Sequence, residues 1–151
     1  MKNIILALLI GTSWAPLSFA ETAIPNPAPA HPELRPVLED FGGVEGVRAL
    51  MDDLMVLLLE DKRMRPFFEN VDQQRVKDKL TEQVCVILGG DCTYTGMDMV
   101  EAHAGMEVRH ADFNALVEVL QIAMQRRGIP NRAQNKLLAK LAPMHREVIN
   151  R

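Results

Sequence analysis

The chain has 151 residues, 48% hydrophobic and 25% charged, with a formal net charge of −3. These values describe one ordinary globular domain and exclude a disordered chain, a disulfide scaffold and a large two-domain enzyme. The slight negative charge leaves no basic footprint, so a nucleic acid is not an expected partner.

In chain order, residues 1–20 read as a secretory signal. Lys2 supplies the positive start, Ile4 to Ile10 and Leu17 the apolar stretch, and Ser18-Phe19-Ala20 a small-x-small cleavage site. The run is short and Pro16 interrupts it, so a membrane span that persists after cleavage at Ala20 is not expected. This places the mature chain in the periplasm or outside the cell. Residues 21–36 carry Pro25, Pro27, Pro29, Pro32 and Pro36, and alternating prolines favour an extended tether over a helix. The tract is read as a linker, with the folded domain over 37–151.

The remainder is helical from end to end. Between Val44 and Glu60, Val47, Leu50, Met51, Leu54, Met55 and Leu58 recur at helical spacing. Val56, Leu57 and Leu59 make this helix apolar nearly all round, which predicts deep burial. Arg63 to Asn70 forms a corner around Pro66-Phe67-Phe68. Asp72 to Leu88 carries Val76, Leu80, Val84 and Ile87 in a stripe that stops at Gly89-Gly90. A short helical segment surrounds His103, between Met97 and Met106. Two more helices span Asp112 to Arg127, stopped by Gly128-Ile129-Pro130, and Asn131 to Ile149. No stretch alternates with period two, so the domain is all-α. With five Phe, one Tyr and one Trp against nine Met, its core is aliphatic and thioether-rich, or something else fills it.

Cys85 and Cys92 flank Gly89-Gly90. In an oxidising compartment a pair this close can form a disulfide; the alternative is a buried Cys85 and a free Cys92. A histidine on a short helix, such as His103, is by itself most simply a hydrogen-bonded structural residue.

The order of Phe41-Gly42-Gly43, Arg65-Pro66-Phe67-Phe68, Leu88-Gly89-Gly90, Tyr94-Thr95-Gly96, Glu101-Ala102-His103-Ala104-Gly105-Met106, Phe113 and Ala142-Pro143 resembles group I truncated haemoglobins. The resemblance covers residues 39–150 and implies a two-over-two globin fold around a haem. It makes His103 the proximal ligand, with Nε2 bound axially to iron, for which neutral imidazole is a suitable donor. Phe68 would stack on the macrocycle. Tyr94, Met99, Val108, Phe113 and Leu116 would line its proximal side and edge, each with ordinary helix packing as the competing account. No Cys-x-x-Cys-His motif occurs, so haem b is expected rather than a c-type linkage.

On the distal side the sequence departs from that family. A tyrosine and a glutamine that would donate hydrogen bonds to the gas ligand are replaced by Met55 and Leu80, with Val76 on the same side and Gln83 and Val84 where aromatics are usual. The expected distal pocket is apolar and retains oxygen weakly. Gln83 is a replacement donor or a solvent-facing residue. Lys79 reaches a haem propionate, water or the iron, and Met55 is packed or a thioether ligand. His145 is expected to face solvent, a covalent link to haem being the alternative, and His110 to cap its helix or face water. The leading function is reversible binding of a diatomic gas (oxygen, nitric oxide or carbon monoxide) without catalysis. The alternatives are redox chemistry such as nitric-oxide dioxygenation or peroxidase activity, which calls for an electron donor, and a cofactor-free helical interaction module.

Overall fold

The computed structural model describes residues 25–149; the signal expected over 1–20 and the start of the proline-rich tract lie outside them. Every regular element among the described residues is a helix. They are α1 (Arg35–Asp40), α2 (Gly43–Glu60), α3 (Arg65–Phe68), α4 (Gln73–Ile87), α5 (Met99–His103), α6 (His110–Arg126), α7 (Asn131–Leu141) and α8 (His145–Val148), with 3-10 turns at Pro32–Leu34 and Ala142–Met144. Helix α2 packs on α4 and crosses α6, and α6 packs on α7, which gives two helical pairs in two layers.

Local chemistry sets the helix ends. The Asp72 carboxylate accepts from the Arg75 N–H at 3.0 Å and starts α4. At its other end Gly90 N–H donates to the Cys85 carbonyl at 2.8 Å and Gly89 N–H to the Val86 carbonyl at 3.0 Å. This double closure needs a left-handed residue, and Gly89 supplies it with φ +74°. Ile129 and Gly128 close α6 on Met124 and Gln125 in the same manner. Between α1 and α2 the backbone passes so closely that a Cβ on Gly46 would lie 1.9 Å from the Phe41 carbonyl oxygen.

The main core is aliphatic with methionine, as the composition predicts. Leu50, Leu58, Ile87, Met124 and Leu137 are fully buried, and Phe41 is the aromatic among its buried members. Three expectations are corrected. Helix α2 is not buried all round: Val56 is 56% exposed, because the elements packed on α2 leave that side open. The helix expected from Asn131 to Ile149 breaks after Leu141, where Pro143 has no N–H to donate, and resumes as α8. Within the tract read as a tether, Pro32–Leu34 is a 3-10 turn and Pro36 lies in the first turn of α1. Proline is compatible with a helix start, where its missing N–H costs nothing, and Ala28 and Leu34 are buried.

Cys85 and Cys92 form a disulfide, with Cα atoms 6.0 Å apart, that ties the end of α4 to the following loop. By loop-closure entropy for so short a loop, replacing Cys92 with serine is expected to remove about 2–3 kcal/mol of stability. Calorimetry with and without reductant checks this, with a drop in Tm on the order of 10 °C. A Tm indifferent to both the substitution and reductant contradicts it.

Candidate functional site

Helix α5 is only five residues long, and its Asp98 cap accepts from the Glu101 N–H at 2.8 Å. His103 is its last residue. The imidazole Nδ1 lies 2.8 Å from the Met99 carbonyl, one turn back. A carbonyl only accepts, so Nδ1 carries a proton, and in the neutral ring Nε2 is the nitrogen with the lone pair. Among the described residues Nε2 has no hydrogen-bond partner, and the ring is half-buried. A tautomer locked by its own backbone, with the opposite nitrogen free, is the arrangement of a metal-ligating histidine.

Opposite α5 lies one face of α4. Val76, Leu80 and Gln83 follow at i, i+4 and i+7 and so share that face. The Gln83 amide lies 3.8 Å from the sulfurs of both Met99 and Met144, which shows that this face meets α5 and the turn before α8. Val76 and Leu80 are half-buried, as are Phe68, Met99, Phe113 and Leu116. Met55, Val108, Val148 and Ile149 are buried yet stand outside the main core cluster. Phe68, Leu80 and Leu116 pack against that core from its edge, whereas Met55, Val108, Val148 and Ile149 form apolar packing apart from it.

The other expected residues occupy defined places. Tyr94 is half-buried and donates its hydroxyl to the Met97 carbonyl at 2.7 Å. Its burial raises the phenol above the usual range, and the Glu82 and Asp98 charges add to that. Lys79 is turned to the loop side. Its ammonium donates to both Glu82 carboxylate oxygens, at 2.9 and 3.1 Å, and to the Thr95 hydroxyl. Burial raises the Glu82 carboxyl, but hydrogen bonds from the Thr95 N–H, Lys79 and the Thr95 hydroxyl outweigh it and hold the group below its ordinary value. Lys79 thus ties the Tyr94-Thr95-Gly96 loop to α4. Phe67 is half-buried against the main core. The solvent exposure expected of His145 is corrected: its ring stands edge-on to Phe113 at 5.5 Å, and its Nε2 is 3.1 Å from Nδ1 of the exposed His110. Its place at the start of α8 sets the ring against His110 and Phe113 of α6. Gln83 does not face solvent either; it is 5% exposed.

Two participants escaped the sequence: Met144, and the Pro27 carbonyl, which accepts from the Gln83 amide at 2.7 Å. Neither carries a local signal, since both meet Gln83 through tertiary packing. A surface groove lies elsewhere, lined by Arg48, Asp78, Lys79 and Glu82. It is a solvated charged surface crossed by the Arg48–Asp78 ion pair. Among the described residues no three His, Cys, Asp or Glu side chains converge on a metal site, and no helix is long and apolar enough to cross a membrane. What the His103 region offers is one nitrogen ligand on a short helix that meets the α4 face at Met99. That donor set suits a flat, largely apolar cofactor whose metal brings its own equatorial ligands, as haem does.

Comparison with known proteins gives the same picture. The bacterial-like globin family matches residues 36–150. Group 1 truncated haemoglobin of Tetrahymena pyriformis is 29% identical over 100 residues, covering 66% of this chain and 83% of its own. That of Synechocystis is 29% identical over 118 residues, covering 74% and 95%. Among solved structures, ferric truncated haemoglobin from Tetrahymena pyriformis superposes with a TM-score of 0.73 at 25% identity, over 76% of this chain and 98% of the other. The 2/2 haemoglobin of Synechococcus, solved with covalently attached haem, gives 0.70 at 21% identity over the same shares, a likeness of fold.

Proposed function

Because the chain belongs to the bacterial-like globin family, we propose that it holds haem b on His103 and reversibly binds a diatomic gas in an apolar site, as a binder and not an enzyme. Haem, when bound, supplies the iron on which the gas is held. One observation carries the reading: the Met99 carbonyl holds His103 Nδ1 and leaves Nε2 without a partner among the described residues, on the short helix that Gln83 of α4 meets at Met99. Phe68, Met99, Phe113 and Leu116 offer the macrocycle apolar surface, and Val76 and Leu80 exclude water. Met55, Val76 and Leu80 have no donor to hold a polar ligand, so oxygen leaves readily. Export to an oxidising compartment is part of the proposal, supported by the apolar amino terminus and the Cys85–Cys92 bridge.

The test is titration of the purified protein with haemin, followed by reduction and carbon monoxide. Stoichiometric uptake and a carbon-monoxide-dependent shift of the ferrous spectrum are expected. A colourless protein that takes up no haemin overturns the proposal. Steady-state nitric-oxide consumption beyond that of free haem would replace binder by catalyst.

A further inference from the structure

We propose that Gln83 is the residue that sets ligand retention in this site, and that residues 25–31 form a strap deciding whether its amide faces the ligand. The inference rests on the haem reading above. Gln83 is the polar member of the Val76–Leu80–Gln83 face and is 5% exposed. A buried amide must find partners. One N–H donates to the Pro27 carbonyl, 56 residues away in sequence, at 2.7 Å. Its remaining neighbours are the sulfurs of Met99 and Met144 at 3.8 Å, which are weak acceptors. The strap therefore takes the main hydrogen bond of the Gln83 amide.

The strap is built to dock cheaply and hold lightly. Pro25, Pro27, Pro29 and Pro32 restrict it before it docks, so little backbone entropy is lost. Those prolines have no N–H to donate, and the Ala28 N–H is satisfied locally by the Asn26 side chain at 2.9 Å. Its grip on the domain is the buried Ala28 methyl, the Pro27 carbonyl and a close backbone passage where a Cβ on Gly89 would lie 2.6 Å from the His31 carbonyl. Pro25, Asn26 and Ala30 are exposed. When the strap lifts, the Gln83 amide loses its strongest acceptor. One turn along the same face lies Leu80, about 4.5 Å away along the helix axis. A polar ligand beside Leu80 is then the acceptor within reach. Docked, the site is apolar and releases its ligand; lifted, it gains a donor and retains it.

The test uses the full chain and two substitutions. Ala28→Arg puts a charged side chain too large for its buried position and lifts the strap, while Gln83→Met keeps volume and removes the donor. Hydrogen exchange at the Ala28 amide, which is buried and hydrogen-bonded, read without any cofactor, is expected to be slow in the wild type and faster in both variants. In haem-loaded protein, Ala28→Arg is expected to lower the stretching frequency of bound carbon monoxide and to slow oxygen release about 2- to 12-fold, the worth of one hydrogen bond. Adding Gln83→Met to it should abolish both changes. An unprotected strap in the wild type overturns the latch. A strap freed by Ala28→Arg with unchanged stretch and release overturns the switch. Failure to take up haemin overturns the haem reading and the switch with it, and the exchange measurement then reports on the latch alone.

Discussion

With His103 replaced by glycine, the protein is expected to lose stable haem uptake and to regain a haem spectrum when free imidazole is added. His103 is the one side chain of α5 that presents a metal-binding nitrogen, and the Met99 carbonyl at 2.8 Å fixes which nitrogen that is. Losing only the outer hydrogen-bond partner of a metal ligand typically costs roughly 10–100-fold in affinity. Losing the ligand itself should exceed about 100-fold, read as haemin transfer to an apoglobin acceptor. Rescue by imidazole separates a missing ligand from a misfolded domain, because added imidazole fills the hole left by the side chain but cannot refold the chain. His103 is half-buried at a helix end and lies outside the main core cluster, so the glycine variant should keep its helical circular dichroism. An unchanged spectrum in His103→Gly would overturn the assignment, and with it the roles given to Met99 and Phe113.

The second large effect is expected from restoring donors. Leu80→Gln places an amide where the α4 face meets the site, and Met55→Tyr places a hydroxyl on the neighbouring helix α2. Each hydrogen bond to a polar ligand is worth roughly 0.5–1.5 kcal/mol. The double variant should therefore release oxygen about 5- to 150-fold more slowly than the wild type, with Leu80→Gln alone giving about 2- to 12-fold. Carbon monoxide, a poorer acceptor, should be affected less, so the ratio of the two release rates is the sharper readout in stopped flow. Release of oxygen at the wild-type rate in both variants would show that these positions do not face the ligand. The double variant also bears on Gln83: if the strap already withholds the native amide, the new donors act with or without Ala28→Arg.

Much of the fold was legible along the chain. The apolar spacing placed α2, α4 and α6 within a few residues, and Gly89 and Gly128 stop α4 and α6 through closures made within five residues of the glycine. The candidate ligand was legible as well, since its orienting bond runs from residue 103 to residue 99 on one helical turn. Other features escaped because each depends on a meeting between distant segments. Val56 reads as core by hydropathy and is exposed by the arrangement of α4 and α6 around α2. Lys79 adjoins Leu80 in sequence, but the Thr95 loop and Glu82 turn its ammonium away from that face. Composition made residues 21–36 a tether; the buried Ala28 and Leu34 make its second half part of the folded unit.

By itself the sequence determined what is periodic or capped: an all-helical chain, its stops, an aliphatic and methionine core poor in aromatics, and a histidine in a globin-like context. It also left both cysteines and Gln83 with two possible fates. Only the tertiary structure decided that the cysteines join, that Gln83 is buried against Pro27, and that His145 turns inward onto Phe113. The physical reason is range. Helix propensity and capping act over one or two turns, whereas the partner of a buried polar group is whatever acceptor the packing brings within about 3 Å.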